Sequence, residues 1–191
     1  MPLRRTVFGW VVSAALVVGV TGCGGSDEVT PKPVSGTPPV SPSSPTRSKP
    51  VDPTTVAKSR ALADYQYFVA FWTKGKLSGN PTYPYDQVMT GEALQLTNSV
   101  ATADELRGIT ASGSVKYLRG SVVALNLSAK PSIARVQSCE LDQITGVDKK
   151  GGQVYRPVGE VSSDTTLTLV GGRWKVSRKA VSGKEDGACA G

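Results

Sequence analysis

Histidine is absent from this sequence of 191 residues. Its absence excludes Ser-His-Asp and Cys-His nucleophilic machinery, histidine metal sites and the usual proton shuttle near neutral pH. Three cysteines are too few for a cysteine-only zinc site. A chain of this length accommodates one or two small domains. The sequence therefore excludes a large multidomain enzyme, and we expect neither a bound metal nor a cofactor.

The N-terminal apolar segment is too short for a membrane-spanning helix. It extends over residues 7–20 and is interrupted by Gly9, Ser13 and Gly19, whereas a spanning helix needs roughly 20 apolar residues. Arg4 and Arg5 precede it. A short positive region followed by such a segment is typical of a secretory signal peptide, which we predict over residues 1–22.

The apolar segment ends on the residues Val20-Thr21-Gly22-Cys23, which resemble the lipobox of bacterial lipoproteins. The resemblance implies signal cleavage between Gly22 and Cys23, a diacylglycerol on the Cys23 sulfur and an amine acylated with a chain such as palmitate. Two or more acyl chains hold a protein firmly on a membrane. We therefore expect a lipoprotein anchored to the cell membrane through Cys23, on its extracytoplasmic face. The alternatives are an ordinary secretory signal with an incidental cysteine, and an uncleaved anchor.

Residues 23–55 are predicted to be the lipidated cysteine followed by a disordered tether. Residues 24–55 contain eight of the 13 prolines and no aromatic residue. Such a segment cannot bury enough apolar surface to offset its ordering entropy. In polyproline II conformation it would reach up to roughly 100 Å, at about 3.1 Å per residue. The tether is thus interpreted as a spacer, and O-glycosylation or a ligand role for the prolines are the alternatives.

Residues 56–191 have the composition of a folded domain, and its first part is predicted to be helical. Pro53 suits a first helical turn with Asp52 as the N-cap. The apolar residues that follow recur at helical spacing as far as Trp72, and the helix is predicted to end near Lys74-Gly75. A short helical turn is predicted at residues 85–89. Thr90 is predicted to cap a second long helix that ends at Gly108.

The second half of the domain is predicted to form strands over residues 115–127, 133–142, 165–170 and 173–181. Alternation in the first strand places Ser121, Val123, Leu125 and Leu127 on one face. In the later strands the predicted same-face sets are Ile133, Cys139 and Leu141; Leu167 and Leu169; and, on the core side, Trp174 and Val176. A glycine- and lysine-rich excursion separates the second and third strands at residues 146–152. Helices followed by an antiparallel meander predict an α+β fold.

The order of four motifs resembles secreted actinobacterial lipoproteins with an NTF2-like (SnoaL-like) domain. The motifs are YQYFVAFW at 65–72, MTGEAL at 89–94, VQSC at 136–139 and GGRWKV at 171–176. The resemblance implies a cone in which N-terminal helices pack on a curved antiparallel sheet and leave a pocket at the open end. The candidate residues for lining that pocket are aromatic: Tyr65, Phe68, Trp72 and Tyr117.

Cys139 and Cys189 form an even pair once Cys23 is assigned to the lipid. Outside the cytoplasm a disulfide is the default state of such a pair, so we predict that the two are bonded. The alternative is two free thiols, one of them buried.

The domain has 17 basic and 12 acidic residues, a net charge of +5. Nucleic acid is excluded as a partner, because an extracytoplasmic location argues against it and no basic stripe with aromatic platforms is present. The densest basic groups are Lys149-Lys150 and the set Arg173, Lys175, Arg178 and Lys179. We interpret these residues as the solvated faces of strands, and anionic lipid or wall polymer is the alternative partner.

No catalytic residue stands out from the sequence. A carboxylate in an apolar pocket can act as a base near neutral pH, and the candidates are Asp64, Asp86, Glu140 and Asp142, with Tyr65, Tyr85 and Tyr117 as donors. None of them lies in a recognisable pattern. We therefore expect a non-catalytic module that binds an apolar small molecule or an envelope or cell-wall protein. The alternatives are an isomerase- or lyase-type enzyme and an accessory to cell-wall synthesis.

Overall fold

The structure, a computed structural model, describes residues 51–184 together with Gly187 and Cys189. The predicted signal peptide, Cys23 and residues 24–50 of the predicted tether lie outside the described residues. Within these residues there are two α-helices, α1 at Pro53–Ser78 and α2 at Gly91–Arg107, with a short 3₁₀ helix at Tyr85–Gln87 between them. In this part of the chain, no helix has the length and apolar character needed to cross a membrane.

In the described part of the chain, seven strands follow the helices and form two antiparallel sheets. The bounds of the strands are β1 Thr110–Ser112, β2 Val115–Asn126, β3 Ile133–Asp142, β4 Thr145–Val147, β5 Gln153–Tyr155, β6 Gly159–Val170 and β7 Arg173–Lys184. The larger sheet has the order β2-β3-β6-β7, and the smaller one has the order β1-β4-β5. The predicted α+β class, with two helices packed on antiparallel sheet, is confirmed.

Helix α1 begins where the sequence predicts and ends later. The Asp52 carboxylate accepts hydrogen bonds from the backbone N–H groups of Thr54 and Thr55, at 3.2 Å each, which satisfies donors that a helix start leaves unpaired. The helix thus begins three residues before the domain boundary predicted at residue 56. It ends at Gly79, which adopts a left-handed conformation with φ of 62°, and the end predicted near Lys74-Gly75 is wrong.

Position 75 lies inside helix α1 and is a glycine because aromatic rings lie directly against the helix backbone there. A Cβ atom at this position would lie 2.6 Å from ring atoms of both Tyr83 and Tyr85. The glycine therefore marks a close approach between the helix and the segment that follows it, not a helix end.

We expect Gly75→Ala to lower the free energy of unfolding by about 1–3 kcal/mol, the usual cost of overpacking a core. The sign is informative because alanine has the higher helix propensity, by about 1 kcal/mol. Urea unfolding checks the result, with Lys74→Ala at the neighbouring exposed position as the control. A stabilised Gly75→Ala protein would show that the two rings do not contact the helix backbone.

The face of β2 that points to the core differs from the predicted one. Register shifts occur between Tyr117 and Arg119 and again between Val122 and Ala124, and each shift reverses the alternation beyond it. Val122 and Leu125 therefore pack against the core, whereas Val123 is 46% exposed. The prediction that Val123 shares a face with Leu125 is wrong.

Strand β3 turns its even-numbered residues toward the core. Its buried alternating residues are Ala134, Val136, Ser138 and Glu140, while Ile133 is 39% exposed. Ile133, Cys139 and Leu141 share a face, as predicted, and this face is turned away from the core, because the inner face contains two polar side chains, Ser138 and Glu140. Cys139 is buried on account of its covalent partner.

Strands β6 and β7 are longer than predicted, and the three short strands β1, β4 and β5 were not predicted. Strand β6 begins at Gly159, before the predicted start at Thr165, and β7 continues past Val181. The predicted excursion at 146–152 is part of a β4-β5 hairpin that pairs with β1.

The hydrophobic core lies between the two helices and the inner face of the larger sheet. Its buried members are Ala61, Tyr65, Phe68, Val69, Tyr85, Val88, Met89, Ala93, Ala134, Val136, Leu167, Trp174 and Val176. This core packs α1 and α2 against the sheet, and the cavity described next lies between them.

Candidate functional site

A cavity of about 280 Å³ lies between helices α1 and α2 and the strands of the larger sheet. Its apolar lining residues are Phe68, Val69, Trp72, Met89, Ala93, Leu96, Val115, Val158, Val161 and Val181. Its polar lining residues are Glu92, Thr97, Glu140, Asp142, Arg178 and Lys179. An apolar enclosure with a few polar groups is the usual character of a small-molecule site.

The structure divides the four aromatic residues proposed for the pocket into two pairs. Phe68 and Trp72 line the cavity, and Tyr65 and Tyr117 do not. Tyr65 is fully buried in the core, and the half-buried Tyr117 ring packs edge-on against it with 6.2 Å between centroids. Burial is the main reason that the pKa of Tyr117 is raised.

An ion pair between Glu140 and Lys179 lies in the wall of the cavity. The Lys179 Nζ atom is 2.6 Å from Glu140 Oε2 and 2.8 Å from Oε1. The Glu140 side chain is 5% exposed and that of Lys179 is 23% exposed. Each of these partly buried charges is stabilised by the other, because burying an ion without a partner is strongly unfavourable.

Three hydroxyl groups complete the hydrogen bonding around this ion pair. The Tyr65 hydroxyl donates to Glu140 Oε1 and accepts from Lys179 Nζ at 3.2 Å. The Ser138 hydroxyl lies 2.8 Å from that of Tyr65 and 2.9 Å from that of Ser163. We refer to Glu140, Lys179, Tyr65, Ser138 and Ser163 as the polar network. A buried network with every member bonded is rigid.

A β-bulge in β7 places Lys179 inside the domain. Leu167 pairs with Val176, but the preceding β6 residue, Thr166, pairs with Arg178, so Ser177 is the extra residue. The bulge reverses the alternation of the strand. Lys179 consequently pairs with the buried Thr165 and points to the same side as Trp174, and the interpretation of Lys179 as part of a solvated face is wrong.

The pKa of Lys179 reflects a balance of opposing effects. Burial by itself lowers the pKa of this ammonium, whereas the charges and hydrogen bonds of Tyr65 and Glu140 raise it, and the net result is a raised pKa. Lys179 is therefore charged at neutral pH and does not act as a neutral amine nucleophile there.

We expect the stabilisation from Lys179 to be complete below pH 10.5, its ordinary pKa, and to be lost as the pH rises through the raised value. Urea unfolding between about pH 9 and pH 12 measures this loss. Tyr85, whose pKa burial raises to about 12, adds an alkaline loss of its own in any variant that keeps it. Lys179→Met should therefore lose less stability over this range than the unmodified protein, and equal losses would contradict the assignment.

The other carboxylates proposed for catalysis lie in different surroundings. Asp64 accepts a hydrogen bond from the backbone N–H of Trp174 at 2.9 Å and Asp86 is exposed; neither lines the cavity. Asp142 does line it, and its Oδ1 accepts from the Ile144 backbone N–H at 2.9 Å. Within residues 51–184, no cluster of three or more metal-ligating side chains is present.

The outer part of the cavity has a second, exposed charge pair. Arg178 Nε lies 3.9 Å from Glu92 Oε2, and the two side chains are 70% and 73% exposed. A pair in such contact with solvent contributes little to stability. The two opposite charges cancel in this part of the lining, and the pair leaves the cavity open to solvent.

The predicted disulfide is present between Cys139 and Cys189, whose Cα atoms are 5.6 Å apart. Cys139 lies on β3 next to Glu140 of the polar network. The backbone N–H of Cys189 also donates to Glu160 Oε2 at 3.2 Å. The bond thus holds the C-terminal part of the chain near the start of β6.

Comparisons with known proteins leave the chain unassigned. No family model matches it, and no curated protein matches it. Among solved structures, the crystal structure of the intermembrane space region of the chloroplast protein ARC6 is similar, with a TM-score of 0.42 and 15% sequence identity, over 70% of this chain and 98% of that chain. At this TM-score and identity the similarity assigns no function.

Proposed function

We propose that this protein is a lipoprotein of the extracytoplasmic membrane face whose NTF2-like domain binds an apolar small molecule without chemical turnover. The observation that carries the binding role is the cavity of about 280 Å³ with its mainly apolar lining. Its volume is close to the lower end of the range of small-molecule sites, about 300–1,000 Å³. The aromatic residues of the core leave this space open.

The arrangement of Glu140 favours binding over catalysis. Both of its oxygens contact the Lys179 ammonium, and Oε1 also receives a hydrogen bond from Tyr65. Ser138 donates a further hydrogen bond to Oε1 at 3.2 Å, so this oxygen is filled and Oε2 is bonded to the ammonium, whereas a general base must be within hydrogen-bond reach of the substrate proton. A carboxylate held in this way serves as the fixed counter-ion of a lysine.

Native mass spectrometry of the full protein, purified from its own envelope, tests the binding role. We expect a retained small molecule on the unmodified protein. Thr97→Phe places a ring in the cavity lining and should remove that molecule, whereas Thr102→Phe, on the exposed face of the same helix, should not. Equal retention by the two variants would place the molecule outside the cavity.

We expect Cys23→Ala to release the protein from the membrane into the medium, because the diacyl group is the proposed anchor. Fractionation followed by immunoblotting measures the distribution, and mass spectrometry of the mature N-terminus checks the lipid. Cys189→Ala serves as the control that keeps the proposed anchor. Continued membrane retention of Cys23→Ala would overturn the proposed lipidation.

An isomerase- or lyase-type enzyme is the second candidate, and one observation favours it. Glu140, Lys179 and Tyr65 lie within hydrogen-bond distance of one another beside an apolar cavity, and buried carboxylates of this kind serve as bases in proton abstraction. Deuterium exchange next to the carbonyl of a bound ketone, followed by NMR, tests this activity. Exchange that disappears in Glu140→Gln would favour the enzyme, and its absence in the unmodified protein favours binding alone.

A further inference from the structure

We infer that the cavity selects an uncharged ligand, one with an apolar body and a single acceptor oxygen such as a ketone or an alcohol. The inference rests on the proposed binding function and specifies the chemical class of the ligand. It follows from the way in which the charges that line the cavity are already matched within the protein.

The buried positive charge of the lining is already neutralised. Lys179 contacts both oxygens of Glu140, at 2.6 and 2.8 Å. A ligand carboxylate could form an equivalent contact with Lys179 only by displacing Glu140. That displacement would leave Glu140, which is 5% exposed, buried without its cation, and this is strongly unfavourable.

The remaining charges of the lining oppose an anion further. Glu92 and Arg178 form the exposed pair and cancel each other, while Asp142 has a backbone amide as its hydrogen-bond donor and no cation among the described residues. The five charged lining residues therefore sum to one negative charge. A carboxylate is therefore the least favoured ligand group. A ligand ammonium near the polar network is repelled by the positive charge of Lys179.

A neutral acceptor oxygen fits the group that the polar network presents to the cavity. Lys179 and Glu140 both line the cavity, and the Lys179 side chain is the more exposed of the two, at 23% against 5%. The third contact of the ammonium, to Tyr65, is the longest at 3.2 Å. A carbonyl or hydroxyl oxygen can share this donor without separating the ion pair.

Four probes with one rigid apolar body test the inference: 2-adamantanone, 1-adamantanol, adamantane-1-carboxylate and 1-adamantylammonium. Isothermal titration calorimetry at neutral pH on the full protein gives their affinities. We expect the ketone and the alcohol to bind at least about tenfold more tightly than either ion, because the carboxylate finds both cations of the lining already paired and the ammonium is repelled by Lys179 at the polar network. The carboxylate is expected to bind most weakly.

Glu140→Gln tests the cause, because it removes the counter-ion and keeps the side-chain shape. In this variant Lys179 has lost its buried partner, so the carboxylate probe should become the tightest of the four. Asp164→Asn is the matched control: it neutralises a carboxylate paired with Arg135, 31% exposed and outside the cavity lining. It should leave the order of the probes unchanged.

The outcomes separate the two proposals. Neutral probes that bind to the unmodified protein no more tightly than an ion would overturn the inference and leave the binding function standing. An unmodified protein that binds none of the four would overturn both. If Glu140→Gln does not fold, the order of the probes on the unmodified protein decides by itself.

Discussion

Lys179→Met is expected to lower the free energy of unfolding by about 3–5 kcal/mol at neutral pH. The variant keeps an apolar side chain of similar length, so the loss comes from the charge and not from a cavity. It leaves the Glu140 carboxylate, only 5% exposed, without a cation. Urea unfolding monitored by circular dichroism measures the change.

Two further variants separate the effect of an unpaired charge from that of a lost contact. Lys179→Met combined with Glu140→Gln removes both charges and should recover most of the stability, since a neutral replacement for a buried pair is often tolerated. Arg135→Met breaks the pair with Asp164, whose partners are 52% and 31% exposed, and should cost less than about 1 kcal/mol. Equal losses in Lys179→Met and Arg135→Met would show that the Glu140 pair is not buried in solution.

Loss of the Cys139–Cys189 disulfide should cost about 4 kcal/mol, because the bond closes a loop of about 50 residues and restricts the unfolded chain. We expect a lower urea midpoint for Cys139→Ala/Cys189→Ala than for the oxidised protein. For a domain of this size the melting temperature should fall by roughly 15 °C. Differential scanning calorimetry checks the second value.

Reduction of the unmodified protein provides the matched control for this disulfide. Dithiothreitol should bring its urea midpoint close to that of the double variant and should leave the double variant unchanged. A midpoint of the unmodified protein that does not respond to complete reduction, confirmed by thiol titration, would contradict the expected contribution of the bond.

Short-range sequence patterns predicted the helix ends that are set by neighbouring residues. Asp52 and Pro53 begin α1 as predicted because a cap and a proline act within one turn. Gly108 ends α2 in a left-handed conformation, as its sequence position indicated. Gly75 is also a glycine, but it lies inside helix α1 and does not end it. Its role is to make room for Tyr83 and Tyr85, which pack against it from outside the helix.

The candidate site was predictable in part. Phe68 and Trp72 were candidates for the pocket that the resemblance to NTF2-like domains implied, and Glu140 was one of four carboxylates proposed; all three line the cavity. The alternation of β3 could have identified Glu140 as an inward-facing residue, because it lies on the same face as Ala134 and Val136, two residues suited to a core. Lys179 and Ser138 of the polar network were missed as site residues, since a lysine in a basic cluster and a serine in a strand are ordinary surface residues.

By itself, the sequence determined that histidine chemistry is excluded and that the domain is α+β, and it predicted the Cys139–Cys189 disulfide once Cys23 was assigned to the lipid. These conclusions follow from composition and short-range patterns. Only the tertiary structure decided that Lys179 points inward, because one extra residue in β7, Ser177, reverses the alternation that would have put it on the outer face. A bulge is set by pairing with a neighbouring strand, so the ion pair with Glu140 and the charge character of the cavity could not be derived from β7 alone.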